Sequence, residues 1–425
     1  MAREMKDSGF VWLGQIPHDW EIRKLKHYYT LKTGFTPDTK KQEYYDETGY
    51  DWVNISDLSD GATIYETRKK ISQAYVDAFS PEQIPAGSLM YSFKLSVGQT
   101  SFAGKPLFTN EAIASFLASE TVDLHYLRYS SSFIIENAQT NIYNAKILNQ
   151  DLINNAYVPF PPLAEQARIA VFLDRKCAEI DSVIADTQRT IEEYKKLKQS
   201  VITQAVSKGV RGARDMKDSG SVWFGEIPAE WRMVRLKYMY HIKKDIAGKE
   251  GYTVLSITQR GITPKNIESN EGQLAADYSK YQLVEPGDFA MNHMDLLTGW
   301  VDISKYDGVT SPDYRVFVLD DEASNKEYYL YMMQMCYFNR IFYGLGQGVS
   351  GMGRWRLQAD KFLNFYIAVP PAEEQVEIVE ALKKQLSEMD ALITAKEQLL
   401  IEMESYKKSV IYEYVTGKKE VPACQ

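Results

Sequence analysis

The chain has 425 residues, 44% of them hydrophobic and 25% charged, which is enough to bury more than one core and too many for one domain of ordinary size. No run approaches the ~20 apolar residues of a membrane span, and the opening MAREMKDSG lacks the apolar core of a signal peptide, so a cytoplasmic protein without a membrane partner is expected. The formal net charge of −8 excludes a binder that relies on overall basic excess, and neither 21–160 nor 232–369 is net positive, so any nucleic-acid surface must be a local concentration of charge.

The first recognisable element is a linker, MKDSGFVWLGQIPHDWEIRKLK at Met5–Lys26, which returns as MKDSGSVWFGEIPAEWRMVRLK at Met216–Lys237 with thirteen of 22 positions identical. Later in the chain PPLAEQARI from Pro161 is matched by PPAEEQVEI from Pro370, at an offset of 209. A repeat of about 210 residues organises the whole chain. Each copy reads as a linker, a mixed segment of roughly 130 residues and a long helix.

The first mixed segment, 21–155, holds short apolar runs broken by turn residues, such as YDWVNISDL at Tyr50–Leu58, and a helical stretch around Asp123–Asn137. Its polar candidates for contact with DNA are Arg68, Lys69 and Lys70; Tyr91, Ser92 and Lys94 at the end of a strand after a glycine turn; and Asn141, Asn144 and Lys146 in QTNIYNAKIL. Each is also of a type that commonly serves as a solvated surface group.

A Pro pair with Glu165 and Gln166 opens the first long helix, where carboxylates suit the positive helix end, and Lys208 and Gly209 close it. Inward positions step by three and four through Cys177, Ile180, Ile184, Thr187, Ile191, Tyr194, Lys198, Val201 and Ala205. The second copy, opened by Glu373, Glu374 and Gln375 and closed by Gly417, repeats the steps from Leu386 through Met389, Ile393, Lys396, Leu400, Met403, Lys407 and Val410 to Tyr414. A seam of about four heptads predicts two helices that pair antiparallel as a coiled coil, each roughly 65–70 Å long. The polar seam positions Thr187, Lys198, Lys396 and Lys407 are expected to loosen it and leave room for partner helices.

The second mixed segment, 232–365, offers YTVLSITQRG at Tyr252–Gly261, with Arg260 and then Lys265, and a helical stretch around Glu327–Phe342. VEPGDFAMNHMDLLTG at Val284–Gly299 resembles IPAGSLMYSFKLSVG at Ile84–Gly98 and brings Asn292 and His293 to the matching strand end. The run YGLGQGVSGMGRWRL at Tyr343–Leu357 lacks the Lys-Ser/Thr of a phosphate loop and opens no βαβ unit. Its end, Arg354, Trp355 and Arg356, suits DNA instead, since arginine can pair bidentately with guanine or phosphate.

Catalytic signals are missing. The Pro pairs read PFPPL and AVPPAEE rather than the Asn/Asp-Pro-Pro-aromatic of an adenine methyltransferase, and the five histidines show no ligand or nucleophile-base spacing. Cys177, Cys336 and Cys424 stand far apart and read as reduced thiols.

The linker pattern Trp12 to Trp20 and Trp223 to Trp231, the P-P-x-x-E-Q helix starts and the alternation of repeated and divergent regions together resemble the specificity subunits of Type I restriction-modification systems. The resemblance covers the full length. It implies an α+β protein with an internal pseudo-two-fold repeat: linker and target-recognition domain 1 over 1–160, spacer helix 1 over 161–211, linker and target-recognition domain 2 over 212–369, and spacer helix 2 over 370–421. It further implies that each recognition domain reads one half of a bipartite, asymmetric site in double-stranded DNA, that the helices set the unread gap and dock two modification (methyltransferase) subunits, and that motor-nuclease restriction subunits join them. The chain itself would hold no cofactor and catalyse nothing, with S-adenosylmethionine, ATP and Mg bound by those partners. A methylation-only system would use the same kind of chain. The residues alone also fit a coiled-coil scaffold presenting two protein- or glycan-binding domains.

Overall fold

The computed structural model describes residues 3–140, 146–267, 275–348 and 355–422. The chain divides into two compact units, Met1–Asp186 with Leu399–Gln425, and Thr187–Gln398. The class is α+β, with the repeat expressed in both units.

Unit 1 is built on a five-stranded sheet in the order Leu31–Thr33, Ile113–Phe116, Leu89–Ser92, Thr100–Ala103, Ala62–Ile64. The first four strands run antiparallel to their neighbours, and the last pairs parallel. Unit 2 repeats the first four: Tyr240–Lys243, Arg315–Leu319, Phe289–Met291, Val301–Ile303, all antiparallel. The central strands Leu89–Ser92 and Arg315–Leu319 are covered on both faces and show no polar-apolar alternation. The two helical stretches expected late in each domain form as Leu124–Ser130 followed by a 3-10 turn over Ser131–Asn137, and as Lys326–Phe338 followed by Ile341–Leu345. Asp123 and Asn325 cap the two helices through side-chain oxygens that accept backbone N–H groups of the first turn.

The long helices run over Leu163–Lys208 and Ala372–Val415. Both end on glycines in the left-handed region, Gly209 at φ +78 and Gly417 at φ +67, which L side chains adopt only at a cost. In unit 1 the start of the first helix packs with the end of the second, Cys177 sharing a core with Val410. In unit 2 Ile202, Ala205 and Val206 share a core with Ile378, Leu382 and Leu386. Every seam position named from the heptad is buried or half-buried.

Two of the four polar seam positions, Lys198 and Lys407, behave differently from the expectation that they leave openings. The Lys407 Nζ reaches both carboxylate oxygens of Asp181 at 2.8 Å, and Lys198 bonds Asp390. These two lysines are answered by the facing helix, so they close the seam and help fix its register.

Candidate nucleic-acid interface

What holds each recognition sheet to its helices is the same joint built twice. In unit 1 the Trp20 indole N–H donates to Glu165 Oε2 at 3.0 Å, Arg3 donates to Glu165 Oε1 at 2.6 Å, and the Arg3 guanidinium lies over the Trp20 ring at 5.3 Å. In unit 2 Trp231 donates to Glu374 at 2.9 Å, Arg214 lies 2.6 Å from the same carboxylate, and its guanidinium covers the Trp231 ring at 5.5 Å. The next residue of the motif ties in the domain helix. Gln166 donates to the Pro161 carbonyl and accepts from the Asp123 N–H, while Gln375 donates to the Pro370 carbonyl and accepts from the Asn325 N–H.

The far helix end is fastened by a buried tyrosine. The Tyr126 hydroxyl sits 3.1 Å from the Pro159 and Val415 carbonyls, and the Tyr328 hydroxyl 3.0 and 3.2 Å from those of Ala368 and Val206. Val415 and Val206 lie in last helical turns, whose carbonyls lack intrahelical partners. The P-P-x-x-E-Q pattern therefore positions the recognition domain, and Glu and Gln each have a separate anchoring contact.

On this frame the candidate residues fall into groups. Arg68, Lys69 and Lys70 converge on one groove of about 330 Å³ with Tyr45, Asp46 and Glu47. Arg68 and Lys69 are exposed, whereas Lys70 is half-buried 4.0 Å from the buried Asp51 carboxylate. Lys94 is exposed at a hairpin tip next to the exposed Leu95, 3.9 Å from Glu111. The expectation for its neighbours is corrected: Tyr91 and Ser92 are enclosed in the sheet interior, and Tyr91 packs edge-on against Phe116, so neither side chain offers a group to DNA. Asn141 and Asn144 lie outside the described residues, as does the Lys146 side chain.

In unit 2 Arg260 is exposed in the turn between Leu255–Thr258 and Gly261–Pro264. Lys265 and Asn292 line a common pocket of about 320 Å³ that also holds Asp295 and Asp313. Arg354 lies outside the described residues. Trp355 is packed rather than presented: its ring stacks on Tyr343 at 5.3 Å, its indole N–H donates to the Tyr343 carbonyl at 2.6 Å, and Gly346 leaves the space it fills. Arg356 is exposed and lines a pocket of about 600 Å³ with the buried His293. Two further cations of that pocket, Lys244 and Arg315, escaped sequence reasoning. Arg315 could have been found as a lone charge opening the apolar strand RVFVL. Among the described residues no cluster of three or more His, Cys, Asp or Glu side chains could hold a metal ion, and no helix is long and apolar enough to cross a membrane.

The sequence model of the Type I restriction modification DNA specificity domain matches residues 17–193 and again 228–403. The chain is 25% identical to the Type I restriction enzyme MjaVIII specificity subunit of Methanocaldococcus jannaschii, over 96% of this chain and 94% of that one. It is 22% identical to the EcoKI specificity subunit of Escherichia coli over 69% and 63% of the two chains. Among solved structures, a chain of a type I R-M system superposes with a TM-score of 0.69 at 16% identity, covering 95% of this chain and 99% of that one. The HsdS subunit from Thermoanaerobacter tengcongensis gives 0.51 at 15% identity, covering 97% and 100%. With both copies of the domain matched over most of its length, the chain belongs to the Type I restriction-modification DNA specificity family.

Proposed function

We propose that this chain is the sequence-reading subunit of a Type I restriction-modification complex, each unit reading one half of a bipartite, asymmetric DNA site while the long helices set the gap between the halves. The observation that carries the reading is the duplicated joint. Trp, Glu, Gln and Tyr anchors are kept twice, whereas the surfaces they position differ, with Arg68, Lys69 and Lys94 in one unit and Arg260, Lys265, Asn292 and Arg356 in the other. A frame kept constant around divergent polar surfaces suits two readers of different half-sites. Lys70, Asn141, Asn144, Lys146 and Arg354 complete the contacts we assign to DNA.

The chain binds and positions; methylation and cleavage, with S-adenosylmethionine, ATP and Mg, belong to partner subunits in the cytoplasm. Two modification subunits dock on the helices, one per unit. In support, apolar side chains at equivalent helix positions are about half exposed in both copies: Val183 (45%) and Tyr406 (47%) in unit 1, Leu392 (46%) and Leu197 (47%) in unit 2. Large apolar groups left in solvent at matching positions suit a repeated protein contact. Partners on both helix pairs also supply positive surface that a chain of net charge −8 lacks.

The test is co-expression with the modification subunit encoded beside it, followed by mapping of adenine methylation across the host genome. A new split, asymmetric motif that disappears without this chain is the expected result. A stable complex that methylates no split motif would refute DNA reading while leaving the partner assignment standing.

A further inference from the structure

The 600 Å³ pocket of unit 2 has an unusual charge balance. It opens where the ends of Tyr240–Lys243 and Phe289–Met291 meet the start of Arg315–Leu319, and among the described residues it is lined by Arg315, Arg356, Lys244, His293 and Gln282 with no carboxylate. Arg315 is only 4% exposed. One guanidinium nitrogen donates to the Leu357 carbonyl at 3.0 Å, the other reaches the Met291 sulfur at 3.8 Å, and the group lies over the Phe362 ring at 4.8 Å. These are neutral partners, one of them weak, and they leave N–H donors to spare. A buried cation without a counter-charge is costly, and natural interiors tolerate it where an anion completes the pair.

A second observation points into the same space. His293 is 5% exposed, and its Nδ1 has no hydrogen-bond partner. Burial, with the charges of Arg315 and Arg356, holds this imidazole down to about 3, so it is neutral at working pH; its single N–H is engaged by the Met291 backbone, which leaves Nδ1 as an acceptor. Gln282, fixed by donating to the Ser311 and Tyr314 carbonyls at 3.0 and 2.8 Å, forms a wall. Three cations around one void call for an anion; a neutral base edge would leave their charge unanswered.

We propose that this pocket is a phosphate clamp, in which Arg315, Arg356 and Lys244 close on one backbone phosphate of the DNA that unit 2 engages. The clamp rests on the DNA-reading function and deepens it. It fixes the register of the second recognition domain on the duplex and carries no sequence information itself.

The test uses Arg356→Ala, Lys244→Ala and their combination, all at exposed side chains, with Arg315→Met as the buried counterpart. In the full chain, inorganic phosphate at matched ionic strength raises the melting temperature of the wild type and not that of the double variant. In the complex with modification subunits, the slope of log affinity for duplex DNA against log salt is shallower by about 1 in the double variant, as for the loss of one phosphate contact. An unchanged slope overturns the clamp. Stabilisation by phosphate with an unchanged slope assigns the pocket to free phosphate and overturns it equally. A changed sequence preference at constant slope would make the pocket a base reader instead. In each of these cases a complex that still methylates its split motif retains the proposed function, whereas a wild-type complex that binds no duplex at any salt removes both.

Discussion

His293 gives the pocket a measurable signature in acid. Its pKa is lowered from 6.5 to about 3 by burial and by Arg315 and Arg356. The unfolded chain takes up a proton near pH 6.5 that the folded chain refuses, so the stability contributed by this neutral imidazole is present above pH 6.5 and is lost as pH falls from there towards 3. The aligned strand end of unit 1 carries Phe93, buried in its core, which makes His293→Phe a substitution that the fold already accommodates once. Between pH 6.5 and 5, before most carboxylates titrate, the wild type should lose up to about 2 kcal/mol more than His293→Phe, read from urea midpoints. Equal losses would show that the folded protein protonates this ring. The same residues show how far single positions are legible in sequence. Polar type marked Arg68, Lys94 and Arg356 as candidates, and all three reach solvent. It could not show that Tyr91 and Ser92 point inward, because the strand is covered on both faces and has no polar-apolar alternation to read. Arg315 was visible as a lone charge opening the apolar strand RVFVL, but its role shows only once its neighbours across the sheet are known.

Among the elements, the long helices were the most legible, because a heptad over some 45 residues repeats its signal many times and glycine marks the C-terminal end of each. The recognition sheets were the least legible. Their strands run three to five residues, too short for periodicity, and they pair across distant stretches of chain. The helix-start motif was visible, but its purpose was not: Glu374 lies 143 residues from Trp231 and 160 from Arg214, and only the fold brings the three together. That joint can be weighed. Glu374 is wholly buried, and Glu374→Gln would leave Arg214 with Glu230 as its remaining carboxylate, so unfolding of the full chain should show a loss of about 2–3 kcal/mol. Glu377→Gln, which removes an exposed partner of Arg211 three residues along the same helix, should cost clearly less than Glu374→Gln, because solvent screens that pair. Comparable losses would mean that the buried carboxylate is no more than a surface ion pair in effect.

At the scale of the whole chain, the duplication separates what reads from what spaces. The boundary between the units falls within both long helices, after Asp186 in the first and after Gln398 in the second. Each unit keeps its own joint, sheet and helix-pair core on its own side of that boundary. Residues inserted there lengthen the helices without entering either recognition surface. Four residues added after Asp186, matched by four after Gln398, extend each helix by about 6 Å, which corresponds to roughly two base-pair steps of DNA. In co-expression and methylation mapping, the variant should therefore methylate a motif whose two halves are unchanged and whose unread gap is longer by one or two base pairs. A change in either half-site would mean that the helices take part in base recognition. An unchanged gap would mean that the spacing is set by the partner subunits rather than by the length of these helices.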